Sequence, residues 1–142
     1  MYCSPVWHPA TRRDVNALEG VQRRYTKCIS GLREMDYHAR LNELKALSLE
    51  NLWKLADMSV VYNCLNNRMN CTAIEMGLIL NNNNRTRRSH FYLNQKITKH
   101  AYSSYFCNRA PTEWNKLSLS IINSPSLNVF KQKLSKALLL RQ

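Results

Sequence analysis

Acidic residues are scarce in this chain: nine Asp and Glu stand against 21 Lys and Arg in 142 residues, a formal net charge of +12. The shortage is concentrated. Residues 1–75 carry ten Lys/Arg and eight acids, whereas residues 76–142 carry eleven and one, the single acid being Glu113. A half with so little counter-charge repels itself unless it meets a polyanion, so nucleic acid is the first partner to consider and anionic membrane the second. Glycine and proline are also few, three and four respectively, which argues against a many-turned β architecture and for helices. No apolar run approaches the ~20 residues that span a bilayer. Residues 1–10 lack the apolar stretch of a secretory leader and run through Pro5 and Pro9. The five cysteines, Cys3, Cys28, Cys64, Cys71 and Cys107, are odd in number with no close pair. Reduced thiols in a cytosolic or nuclear setting are therefore expected, not a disulfide framework.

Catalytic patterns are missing too. Two-metal phosphoryl chemistry needs clustered carboxylates, but Asp14, Asp36 and Asp57 are far apart and there is no Asp-Asp pair. A structural zinc site wants Cys or His at short spacings. A set of Cys64, Cys71, His100 and Cys107 can be drawn, yet nothing in the spacing demands it, and buried structural thiols are the plainer reading. No Gly-rich phosphate loop or nucleophile elbow occurs. No cofactor, metal or small-molecule substrate is expected, and no catalysis by this chain.

What is present reads as one mainly α-helical domain, a small bundle of about five or six helices able to bury roughly 70% of its unfolded surface. Over residues 10–29, Val15, Leu18, Val21, Tyr25, Cys28 and Ile29 fall within an arc of about 140° on a helical projection. Arg12, Arg13, Arg23, Arg24 and Lys27 fall within about 120° on the other side. The apolar arc is expected to pack on the core and the cationic arc to face a polyanion or simply solvent. Gly31 is placed to close this helix in a left-handed turn. Asp36 is a candidate N-cap for a short helix over 37–46, with Leu41 and Leu44 inward. Ser48 caps a longer helix from Leu49 to about Leu65, apolar on most sides and so expected to be central.

Residues 66–90 form a candidate flexible connection within the domain, ending in four asparagines (81–84). Phe91, Leu93 and Ile97 allow a brief strand across 90–98. A helix is expected from near Lys99, kinked or restarted at Pro111. Ser126 should cap a last helix whose Leu127, Phe130, Leu134, Ala137 and Leu138 form a stripe about 100° wide. Segment 85–109 holds Arg85, Arg87, Arg88, Lys96, Lys99 and Arg109 with no acid between them, interleaved with Phe91, Tyr92, Tyr102, Tyr105 and Phe106. Cations that track a backbone and aromatics that stack bases are the means of single-stranded RNA or DNA binding. The plain alternative is core aromatics and solvated arginines.

An ordered series of short matches runs through the chain. Tyr2-Cys3-Ser4-Pro5-Val6-Trp7 precedes the Leu18–Lys27 block. Tyr37-x-x-Arg40-Leu41-x-x-Leu44 leads to Leu47-Ser48-Leu49-Glu50, Asp57 and Val61-Tyr62. Phe106-x-Asn108-Arg109, Trp114-Asn115-x-Leu117 and Ser124-Pro125-Ser126 before Phe130-Lys131 follow. In this order the series resembles the C-terminal region of reverse transcriptases encoded by non-LTR, LINE-type (jockey-like) retrotransposons, downstream of the polymerase core. The resemblance implies a non-catalytic fragment of a larger polyprotein, whose palm carboxylates and endonuclease domain lie outside the matched region. It implies helices that help to hold template RNA or target DNA, and contact with the polymerase core. By position, Arg23, Arg24, Lys27 and Arg109 would face phosphate, while Trp7, Tyr62 and Trp114 would be structural. Where relatives often carry a basic pair after the Ser-Leu-Glu stretch, Leu52 and Trp53 stand here.

Overall fold

The structure, a computed structural model, describes residues 4–9, 11–81, 92–95 and 103–140. Among these, seven helical segments follow in order: α1 (Ser4–Trp7), α2 (Arg12–Lys27), α3 (Tyr37–Glu43), α4 (Leu49–Leu65), α5 (Phe106–Trp114), α6 (Leu119–Ile122) and α7 (Leu127–Leu139). The fold is mainly α, as expected. The strand anticipated over 90–98 reduces, in its described part, to one antiparallel bridge between Leu80 and Leu93. Asn81 N–H donates to Tyr92 O at 2.7 Å and Asn94 N–H to Ile79 O at 2.8 Å around it.

Local chemistry sets the helix starts. A short polar side chain that turns back on the first free N–H groups stabilises a start by about 1 kcal/mol. Asp36 accepts from His38 N–H at 3.0 Å, Ser48 from Asn51 N–H at 3.3 Å, and Ser126 from Val129 N–H at 3.3 Å. Thr11 does the same for α2, accepting from Asp14 N–H at 3.2 Å. Two ends close through left-handed residues that are not glycine. Lys45 (φ 50°) lets Ala46 N–H reach Leu41 O, and Asn67 (φ 53°) lets Arg68 N–H reach Asn63 O, both at 2.9 Å. Gly31, at φ 82°, lies beyond the end of α2, in the turn where Leu32 N–H donates to Ile29 O at 3.2 Å. Pro111 does not restart the helix but sits inside α5, which begins at Phe106 and not near Lys99 as its sequence suggests.

The central helix is α4, which packs against α1, α2, α5 and α7. Its Met58, Val61, Tyr62 and Cys64 join Leu78, Leu93, Ala110, Trp114, Leu117, Phe130 and Leu134 in the main core. Phe130 is the pivot. Its ring stacks on Tyr62 with centroids 4.5 Å apart and on Trp114 at 6.0 Å. Tyr62 hydroxyl donates to Ser124 O at 2.5 Å, which ties the α6–α7 turn to α4. Asn115 clamps the return segment: its Oδ1 accepts from Leu93 N–H at 3.0 Å and its Nδ2 donates to Leu93 O at 2.9 Å. Leu78 is fully buried, so residues 66–81 of the expected connection carry a core contact. Residues 82–90 of that connection lie outside the described residues. A second buried set, Leu32, Tyr37, Leu41 and Leu47, lies on the α2–α3 side.

Candidate nucleic-acid interface

The sixteen-residue helix α2 does not pack the way its apolar arc predicts. Leu18, Val21 and Tyr25 are 39%, 56% and 71% exposed, and Cys28 is exposed too. The buried residues of α2 are Glu19 and Thr26. On a helical projection the seam of Val15, Glu19, Gln22 and Thr26 is turned about 80° from the middle of the apolar arc. The reason is a polar network. Glu19 accepts from Tyr37 hydroxyl and, at 3.0 Å, from Leu49 N–H, one of the free donors that open α4. Gln22 Nε2 donates to Leu47 O at 3.0 Å, and Arg40 Nε donates to Thr26 Oγ1 at 3.0 Å. Buried polar groups must be paired, so these pairings fix the rotation of the helix and leave the apolar stripe outward. Burial, and then the hydrogen bond to Glu19, push the Tyr37 hydroxyl well above the ordinary tyrosine range.

The cationic arc is exposed as expected. Arg12, Arg13, Arg23, Arg24 and Lys27 all lie on the open side of α2. Among the described residues, Arg13, Arg24 and Lys27 form no ion pair. Arg12 meets Glu50 Oε2 at 3.0 Å, and Lys54 meets Glu50 Oε1 at 3.3 Å. Burial alone raises the Glu50 carboxyl, but Lys54 and Arg12 together outweigh it and hold the group below its usual value. With side chains 78% and 41% exposed, the Arg12–Glu50 contact is a surface pair of small consequence. Arg23 lays its guanidinium 4.8 Å from the Tyr37 ring centroid.

Arg109, read from sequence as phosphate-facing, is instead an internal strut. Its Nε meets Asp57 Oδ2 at 2.7 Å and its Nη2 meets Asp57 Oδ1 at 3.1 Å, with the two side chains only 14% and 6% exposed. Nη1 donates to Ser104 O, and the guanidinium lies 5.8 Å from the Phe106 ring centroid. This forked pair holds α5 to α4 and commits the guanidinium to Asp57. The other cations of segment 85–109, Arg85, Arg87, Arg88, Lys96 and Lys99, lie outside the described residues, as do Phe91 and Tyr102. Of the remaining aromatics, Tyr105 is 56% exposed, while Phe106 packs against the core.

The residues that carry the family resemblance divide between scaffold and surface, and Leu18, Val21, Arg23, Arg24, Tyr25 and Lys27 among them are exposed. Tyr37, Arg40, Leu41, Leu47, Asp57, Val61, Tyr62, Trp114, Leu117, Ser124 and Phe130 are all buried. Trp7 is 47% exposed and meets the Trp53 ring edge-on at 6.3 Å. Trp53 itself is 1% exposed, so the central helix turns a packing face at this position. Asp14 and Asp36 serve helix starts and Asp57 pairs with Arg109. Among the described residues no three His, Cys, Asp or Glu side chains converge as a metal site. Cys64 is buried, and burial, then the neighbouring Cys71 thiol, push its pKa up to about 11, so it stays a neutral thiol near pH 7. No helix among the described residues is long and apolar enough to cross a membrane.

Sequence reasoning missed Glu19 and Arg40 as buried hubs. The one available signal was the Tyr37-x-x-Arg40 spacing, which puts both side chains on the face of α3 that meets α2. Comparison with family models, curated proteins and solved structures finds no significant match to this chain.

Proposed function

We propose that this chain is a non-catalytic helical module that grips the sugar–phosphate backbone of RNA or DNA with little regard to sequence, using the cationic face of α2. We further propose that it derives from the C-terminal region of a non-LTR retrotransposon RNA-directed DNA polymerase. The observation that carries the binding role is the exposure of Arg13, Arg24 and Lys27 on one helix face without internal acids. The origin is supported by how the matched residues pair across the fold: Asp57 with Arg109, Tyr62 with Ser124 and Phe130.

The test is titration of fluorescently labelled single-stranded RNA and DNA between 50 and 200 mM salt. With about five phosphates neutralised, affinity should fall roughly 10²–10³-fold over that range. The triple variant Arg13→Glu/Arg24→Glu/Lys27→Glu should abolish most binding while keeping wild-type helicity. An affinity indifferent to salt, or untouched by the triple variant, overturns the reading.

A second reading, a helical structural or protein-interaction module bracing a polymerase core, is favoured by one observation. The Leu18, Val21 and Tyr25 stripe of α2 is outward and uncovered. Replacing these three with Ser, Thr and Ser should leave nucleic-acid binding intact under the first reading. Under the second, the chain binds no nucleic acid and that replacement abolishes association with the core.

A further inference from the structure

Arg40 is 2% exposed, yet every acceptor it reaches is neutral. Nε donates to Thr26 Oγ1 at 3.0 Å, Nη2 to Arg23 O at 3.4 Å and Nη1 to Met35 O. Among the described residues no carboxylate lies within ion-pair distance of it. A guanidinium keeps its charge at any physiological pH, and a buried charge without a counter-ion is strongly disfavoured. Arg109, whose side chain is 14% exposed, has Asp57. Among the described residues Arg40 has no such direct pair, and the Asp36 carboxylate acts on it only from beyond ion-pair distance.

The place of the missing anion is visible. Arg40 opens with Arg23, Arg24, Lys27 and Tyr37 onto a cleft of about 360 Å³ between α2 and α3, with Asp36 on its rim. Two guanidinium groups approach the Tyr37 ring, that of Arg23 at 4.8 Å from its centroid and that of Arg40 at 5.7 Å. The nearby acids are already engaged. Asp36 accepts from the His38 and Tyr37 N–H groups, and these, with smaller contributions from the His38 ring and the Arg40 guanidinium, hold its carboxyl below the usual range. Glu19 is taken by Tyr37 hydroxyl and Leu49 N–H. Four cations thus face the cleft against one rim carboxylate committed to a helix start.

We infer that the α2–α3 cleft is a discrete phosphate site: one phosphate seats between Arg23, Arg24 and Lys27, with Arg40 supplying charge from the buried side. Arginine suits this geometry because its planar fork matches phosphate oxygens. The site deepens the nucleic-acid reading and rests on it only for the source of the phosphate, since the cleft itself recognises any phosphoryl group.

The experiment uses the full chain with inorganic phosphate as probe, followed by amide NMR shifts against sodium chloride of equal ionic strength. Phosphate should move the amides of residues 23–27 and 36–40 saturably, and chloride should not. Arg24→Ala and Lys27→Ala, both exposed, should each weaken phosphate binding about tenfold, the worth of one charge-assisted contact. Arg13→Ala, outside the cleft, should leave phosphate binding unchanged while weakening oligonucleotide binding. Equal shifts with chloride, or full phosphate affinity in the Arg24→Ala/Lys27→Ala double variant, overturn the site. Competition between phosphate and oligonucleotide, with 5′-phosphorylated and 5′-hydroxyl strands compared, assigns the source as an end or a backbone phosphate. Phosphate binding with no oligonucleotide binding at all retains the cleft and overturns the nucleic-acid reading.

Discussion

The Asp57–Arg109 pair offers the sharpest test of how this fold uses its cations. Both oxygens of Asp57 are engaged, at 2.7 and 3.1 Å, and neither side chain exceeds 14% exposure, so solvent screening is small. Deleting one partner strands the other as a buried charge, at a cost of about 3–5 kcal/mol. That is a large share of the roughly 5–15 kcal/mol that holds a domain together. At roughly 3 °C per kcal/mol for a chain of this size, Asp57→Leu should lower Tm by about 10–15 °C. Arg109→Met should cost a similar amount. The double variant Asp57→Leu/Arg109→Met removes both charges and restores apolar volume. It should therefore regain most of the loss, with a coupling of about 2 kcal/mol or more. Urea unfolding followed by tryptophan fluorescence measures all four corners of the cycle, because Trp53 and Trp114 are both buried. The same variants separate a strut from a phosphate contact. If Arg109→Met kept wild-type stability within about 0.5 kcal/mol and reduced the salt slope of RNA binding by about one unit, the internal assignment would be wrong.

Other consequences follow from single contacts. His8 packs against Trp53 with centroids 5.3 Å apart, and burial, then the Arg109 guanidinium, lower its pKa below 6.5. The folded state therefore binds fewer protons on His8 than the unfolded chain does. The stability this gives is present above pH 6.5 and is lost as pH falls through the folded value. A proton NMR titration of the His8 ring should show a midpoint under 6.5, and a midpoint at or above it would contradict the packing. Glu19→Ala orphans the Tyr37 hydroxyl and Leu49 N–H, a loss of about 2–4 kcal/mol. Hydrogen exchange should show Leu49 losing protection, with Glu19→Gln costing less. Gly77 has φ 71° and no room for a side chain, since an added Cβ would sit 2.9 Å from Cys107 Cβ. Gly77→Ala should destabilise by about 1–3 kcal/mol in thermal melts, and an unchanged Tm would refute that contact.

Much of the scaffold was legible one turn at a time. Asp36, Ser48 and Ser126 act as caps where the sequence places them, because capping involves a side chain and an N–H two or three residues away. The apolar wrap of Leu49–Leu65 announces a central helix, and α4 is that helix. The cationic arc of α2 is likewise a property of spacing alone. Pro111 was less legible, since a proline's missing donor is tolerable or not according to what surrounds the helix.

Tertiary structure decided which way α2 turns and what becomes of Arg40 and Arg109. Hydrophobic periodicity points Leu18, Val21 and Tyr25 inward, but the pairings that set the rotation join Glu19 to residues 18 and 30 positions away. Arg109 finds its acid 52 positions upstream. No window of local sequence contains both members of such a pair. Spacing along the chain therefore determines helices, their starts and their charge faces. Which face is buried, and which cation stays free for a phosphate, depends on partners that only folding brings together.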